Sequence, residues 1–245
     1  MKRFFYFLCV TFIPFIFSEE TIYPRFLDSP RVKLDPNDRI LLYTPSRTGS
    51  TFVYNVLNYL CEDILWIPNQ FEDKRVQKTH YPDKNGVLQR LLSEGRNVIL
   101  IVTVRNPIDS TLSLCNILDV SYKNGAIHYA KYIAKEFVGI KKSIVPSTIL
   151  RYEHFNNNFP YLFNKIEELL KVEIPDNVKK EVSTIFSREA MKSIADALGS
   201  FDKVDPLTQL HGNHVDKELS EYVASPIVRE AILPYLKEAM KLWQY

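Results

Sequence analysis

The run Val98-Ile99-Leu100-Ile101-Val102-Thr103-Val104 restricts the fold of this chain more than any other segment. Strands with one wet face alternate apolar and polar residues. A continuous β-branched and leucine run instead predicts a strand covered on both faces, as in a parallel sheet between layers of helices. Residues 97 to 104 are therefore expected to form the central strand.

The flanking pattern agrees. Residues 39 to 43 form a short apolar run, and residues 50 to 61 then place Phe52, Val53, Val56, Leu57 and Leu60 at helical spacing. Further strands are expected at 75 to 79 and 148 to 152, and helices at 87 to 93, 110 to 118 and 126 to 138. Beyond these the chain reads as helical, at 161 to 170, 177 to 185, 188 to 198 and 227 to 242. Strands alternating with helices predict an α/β fold: a three-layer parallel sheet with flanking helices and a helical C-terminal half. Binding sites in such sheets lie at the carboxyl ends of the strands.

Composition sets limits on function. With 31 Lys and Arg against 29 Asp and Glu, the net charge of +2 supplies no broad basic field, so no nucleic-acid partner is expected and any anion site must be local. Two cysteines, Cys61 and Cys115, lie in the body of the chain and are expected as buried thiols. No Asn begins an Asn-x-Ser/Thr sequence. Residues 1 to 18 begin Met-Lys-Arg, continue as an apolar run from Phe4 to Phe17 and end at a small residue, the pattern of a signal peptide or hydrophobic anchor. If that signal operates, the protein is exported or membrane-anchored, with membrane association through residues 4 to 17. Otherwise it is cytoplasmic. Residues 39 to 245 are expected to form one domain.

Two strand-to-loop junctions carry the chemistry. After the first strand comes Thr44-Pro45-Ser46-Arg47-Thr48-Gly49-Ser50-Thr51. Unpaired N–H groups at a helix start and the positive end of its dipole hold phosphate well. Gly49 permits close backbone approach, Ser50 and Thr51 add hydroxyls, and Arg47 adds a fixed positive fork. A Ser/Thr helix cap on a surface turn explains the same residues. The loop lacks the Gly-x-x-x-x-Gly-Lys-Ser/Thr pattern of NTPases, which argues against a small-molecule kinase using a magnesium triphosphate. After the central strand comes Arg105-Asn106-Pro107-Ile108-Asp109, with Ser113 further along. Pro107 suits a first helical turn, and Arg105 either clamps phosphate or pairs with Asp109.

Arg47-Thr48-Gly49-Ser50-Thr51-Phe52 resembles the 5′-phosphosulfate loop of sulfotransferases, which reads Lys-Ser-Gly-Thr-Thr-Trp in cytosolic members. Arg105 and Ser113 match the family's Arg-Asn-Pro-x-Asp-x-x-x-Ser block, whose Arg and Ser grip the donor's 3′-phosphate. Lys78-Thr79-His80-Tyr81-Pro82 is similar to the family's Lys-Thr-His-Leu-Pro. The resemblance covers roughly residues 39 to 220 and implies a P-loop-like fold. It also implies 3′-phosphoadenosine 5′-phosphosulfate (PAPS) as donor, no metal, and a small-molecule, glycan or lipid acceptor. His80 is then the base that accepts the acceptor's proton, while Lys78 and Arg47 offset charge on the transferring group. Phe52 takes the place of the family's adenine-stacking Trp. Arg47, a poor proton donor, is assigned to charge stabilisation.

Tyr152, in Leu150-Arg151-Tyr152-Glu153, and Ser187, in the segment similar to Ser-Phe-x-x-Met-Lys, are expected near adenine. His211, Gly212 and Asn213 stand where cytosolic members place Arg-Lys-Gly. His211 and His214 have no third metal ligand at suitable spacing. Trp66, Phe71 and Tyr122 would favour an aromatic or lipid-like acceptor. A non-catalytic member that keeps the fold to bind a sulfated or phosphorylated ligand is the remaining alternative.

Overall fold

The five hydrophobic residues between Ile99 and Val104, broken only by Thr103, are shared among three buried clusters, and the sheet is arranged to make this possible. The computed structural model describes residues 31–61, 74–205, 208–212, 215 and 217–245. The expected leader or anchor at residues 1 to 18, and Trp66, Phe71, Asn213 and His214, lie outside the described residues.

Four strands are described: β1 (Asp38–Thr44), β2 (Val76–His80), β3 (Asn97–Val104) and β4 (Thr148–Arg151). All their pairings are parallel, in the order β2-β1-β3-β4. The chain runs from β1 to one neighbour and then crosses back to the other. The order therefore reverses at β1, which opens a crevice beyond the carboxyl ends of β1 and β3.

Side chains alternate across the sheet. Ile40, Leu42, Ile101 and Leu150 enter a core with helix α1 (Ser50–Cys61) and helices α6 (Phe159–Leu170), α7 (Asp176–Ile185) and α8 (Arg188–Leu198). Val102 and Val104 enter the opposite core with α3 (Pro107–Ile117), α4 (Lys123–Ser143) and α10 (Pro226–Trp243). Leu41, Tyr43 and Leu100 form a smaller cluster with Leu91 of α2 (Val87–Ser93). Cover on both faces is the reason β3 could be apolar throughout.

Boundaries moved where capping outweighed periodicity. The helix expected from Ser110 begins at Pro107, because the Asn106 side chain accepts the Ile108 N–H at 2.9 Å and Pro107 fills the first turn. The strand expected to reach Tyr152 ends at Arg151, and Tyr152 opens the short helix α5 (Tyr152–Phe155). The four-residue helix α9 (Glu221–Ala224), capped by Ser220, had no apolar period long enough to read. Cys61 and Cys115 are buried free thiols, and burial pushes the Cys115 thiol up to about 11. No helix among the described residues is long and apolar enough to cross a membrane.

Leu42, fully buried on β1, fills the first core. Leu42→Ala is expected to lower the free energy of unfolding by about 2–5 kcal/mol in urea titration, the range for cavity-forming changes at well-packed sites.

Candidate active site

Helix α1 has no acidic residue in its first turn, so nothing of its own neutralises the N–H groups and dipole at its start. The preceding loop is shaped by two left-handed residues, Gly49 (φ 78) and Arg47 (φ 65). Glycine takes this conformation freely. For arginine it costs of order 1–3 kcal/mol, which the surrounding contacts must offset. A Cβ on Gly49 would lie 2.7 Å from Cδ2 of Tyr152 and 2.9 Å from Cζ of Phe155, so α5 packs directly on the glycine backbone.

Thr48 turns inward. Its hydroxyl donates to the Pro45 carbonyl at 2.9 Å and so must accept from the Thr103 hydroxyl at 2.7 Å, stitching the loop to β3. Arg47 reaches across to α3, where its Nε and Nη2 donate to Ser113 Oγ at 3.2 and 3.1 Å. The residues expected at the two ends of a bisphosphate ligand, Arg47 and Ser113, are thus in direct contact. Lys78, on β2, donates to Thr51 Oγ1 at 2.9 Å and leaves that hydroxyl's own proton for another acceptor.

Arg105 leaves the end of β3 and lies over the Tyr152 ring, 4.5 Å from its centre, a cation–π contact in place of an ion pair with Asp109. The next backbone N–H, that of Asn106, donates to Glu153 Oε1 at 2.8 Å. Arg47, Lys78 and Arg105 therefore share one cleft of about 610 Å³. Burial first, and then Arg105, lower the Arg47 guanidinium to about 10; burial, then Arg47, lowers the Lys78 ammonium to about 8. Both depressions come first from burial and then from cations held close together; Asp109 also lines the cleft, but among the described residues no carboxylate pairs with these cations.

His80 pairs in register with Thr44. Its Nδ1 is 3.1 Å from the Thr44 carbonyl oxygen, which can only accept, so Nδ1 carries the proton and Nε2 keeps a lone pair. Burial, and then Lys78, lower the imidazole to about 4, against the opposing bond to Thr44. It is neutral at physiological pH and can accept a proton at Nε2.

An aromatic wall completes the cleft. Phe52 is stacked with Phe155 at 6.1 Å and 7° between planes, and meets Phe159 edge-on at 5.5 Å. Phe186 and Met191 also line it. Of the remaining expected residues, Gly49, Ser50, Thr51, Tyr152 and His211 line the cleft as well. His211 Nδ1 donates to the Phe201 carbonyl at 2.8 Å, and its ring stacks on Phe201 at 4.4 Å. Ser187 is used differently: its hydroxyl accepts the Ala190 N–H at 3.2 Å as the cap of α8, and its neighbours Phe186 and Arg188 face the cleft instead. Gly212 packs on the Ser200 backbone, where a Cβ would fall 2.3 Å from the carbonyl oxygen. Tyr122 precedes α4 with its ring over Gly125 and is exposed, away from the cleft.

Sequence reasoning passed over Phe155, Phe159, Arg188 and Lys217, all of which line the cleft. No local pattern separates these phenylalanines from core residues, and Arg188 directly follows the serine expected near adenine. The acid that anchors the loop, Glu136, gave no signal: it meets Ser46 across 90 residues of sequence.

The fold and cleft define an α/β protein with a P-loop-like parallel sheet and a crevice lined by three cationic side chains. The chain is similar in structure to mouse sulfotransferase SULT7A1 complexed with PAP, with a TM-score of 0.56 and 15% identity over 91% of this chain and 94% of that one. No protein-family profile and no curated protein sequence matches it.

Gly49→Ala places a side chain where none fits and forces a left-handed Ala. The variant is expected to unfold at about 1–3 kcal/mol lower stability. Inorganic pyrophosphate is expected to raise the melting temperature of the wild type but not of this variant, with both effects read by scanning calorimetry.

Proposed function

We propose that this chain is a sulfotransferase that takes a sulfuryl group from PAPS and delivers it to an acceptor hydroxyl or amine. The observation that carries this reading is the meeting of Arg47, Lys78 and Arg105, with no carboxylate paired to them among the described residues, beside a phenylalanine wall and a neutral imidazole. Burying like charges together is costly unless an anion joins them. A ligand with two separated phosphate groups and a flat base matches both halves of the cleft. The likeness to a PAP-bound sulfotransferase supports the same choice.

In this reading PAPS supplies an activated sulfuryl group on a phosphate leaving group. The α1 N-terminus and Lys78 hold the phosphosulfate end, Arg105 and Ser113 hold the 3′-phosphate, and Arg47 lies between the two. Phe52, Phe155 and Tyr152 flank the base. His80 Nε2 accepts the acceptor's proton while the Thr44 carbonyl keeps the imidazole in that tautomer. Lys78 and Arg47 stabilise charge that grows on the leaving phosphate. Arrival of the polyanion also opposes the two cations that depress His80, which raises its basicity when the base is needed.

Isothermal calorimetry with 3′,5′-ADP, followed by assays with PAPS and a panel of acceptors, tests the proposal. Arg105→Ala should weaken 3′,5′-ADP by about 10- to 100-fold, as expected for loss of a charge-assisted contact. His80→Ala should lower kcat by ~10²- to 10⁴-fold with little change in donor affinity. Absence of 3′,5′-ADP binding would sink the reading. Tight binding without turnover on any acceptor would favour the ligand-binding alternative, and magnesium-dependent ATP binding the kinase.

The two titrations set a pH profile. His80 must be neutral, which holds above about 4, and Lys78 charged, which holds below about 8. In the free enzyme kcat/KM should therefore be level between these values and fall on either side. Lys78→Arg, which stays protonated, should remove the alkaline limb.

A further inference from the structure

The loop before α1 is gripped from behind by a buried acid. Glu136, in the middle of α4, is 1% exposed. Its Oε2 accepts the Ser46 backbone N–H at 2.7 Å and its Oε1 accepts the Ser46 hydroxyl at 3.0 Å. Tyr132, one turn earlier, lies close enough to the same carboxyl group to act on it electrostatically. Glu136 is absent from the lining of the cleft, so it meets neither half of the proposed donor.

An acid is a costly choice here. Its helix neighbours Ile133, Phe137 and Ile140 belong to an apolar core, which a leucine at 136 would extend without the desolvation cost of a carboxylate. The two bonds go to a single residue, and that residue directly precedes Arg47. The Ser46–Arg47 peptide leads into a left-handed arginine, a conformation held only where its surroundings over-determine it. Fixing both the N–H and the side chain of Ser46 leaves the chain one way to enter that turn. Arg47 is then delivered onto Ser113, and the N–H groups from residue 47 onward remain to face an anion.

We infer that Glu136 is the positioning residue of the anion loop: by clamping Ser46 at two points it holds Arg47 and the α1 N-terminus in binding geometry before any ligand arrives. This rests on the proposed function only for the identity of the ligand. The clamp itself is a property of the loop.

Hydrogen exchange and calorimetry on Glu136→Ala, Glu136→Gln and Ser46→Ala test it. In Glu136→Ala, amides from 46 to 51 should exchange faster while those of β3 stay protected. Its Kd for 3′,5′-ADP, per folded molecule, should rise about 10- to 100-fold. The donor KM should rise and the acceptor KM hold. Glutamine can accept the Ser46 N–H and donate to the Ser46 hydroxyl, so Glu136→Gln should restore slow exchange and bring Kd within about threefold of wild type. Ser46→Ala, which loses one bond of two, should fall between them and gives the same decision if Glu136→Ala does not fold. Wild-type exchange at 46 to 51 in the alanine variants overturns the inference, as does a glutamine variant no better than alanine. If the wild type itself fails to bind 3′,5′-ADP, the donor assignment falls and the exchange data still decide the clamp.

Discussion

Parallel pairing of β1 with β3 is the constraint on which the rest of the structure depends. The register aligns Asp38 with Asn97 and Leu42 with Ile101, so the two strands end side by side on one edge of the sheet. One end releases the loop from Pro45 to Gly49 and the other releases Arg105. Because the strand order reverses at β1, the connecting helices leave to opposite faces and a crevice opens between these ends. The Thr48–Thr103 hydroxyl pair reinforces the same junction from below.

Charge in the cleft follows from that convergence. Arg47, Lys78 and Arg105 come from three segments that are brought together only by the sheet, and the sheet brings no acid with them. Asp109 lines the cleft but forms no ion pair with the three cations, and two other acids nearby are engaged elsewhere: Glu136 by Ser46, and Glu153 by the Asn106 N–H and the Tyr245 hydroxyl. Both carboxylates therefore act on backbone and loop geometry and leave the cations for a ligand. Strain in Arg47, packing of Tyr152 and Phe155 on Gly49, and the clamp behind Ser46 form one preorganised unit.

Histidine 80 illustrates how environment divides roles among titratable groups. A β2 end buried beside two cations gives a depressed pKa, and the Thr44 carbonyl chooses the tautomer. The same burial that makes His80 a weak base in the free protein makes it responsive to a bound anion, since removal of the opposing charge effect is a local electrostatic event. Lys78 is lowered in the same way, by burial and then by Arg47.

The sequence by itself determined the sheet and the elements of the anion loop. An unbroken β-branched and leucine run predicted a strand buried on both faces, and Ser50 to Cys61 and Arg188 to Leu198 were read to the residue because their apolar periods are clear, with Ser187 and Gly199 capping the second. Arg47, Gly49 and Arg105 were legible as candidates because they lie just past the ends of β1 and β3, and Lys78 and His80 because they lie at the end of β2, where chain direction carries them to the same edge; Ser113, on α3, was legible only through the resemblance. Tertiary structure decided what no local pattern encodes. That Ser187 caps a helix while Arg188 faces the cleft, that Arg47 bridges to Ser113, and that Glu136 holds Ser46 are facts about side chains meeting across tens of residues. Such contacts depend on the angle at which helices pack on the sheet, a global property that the spacing of residues along one segment cannot contain.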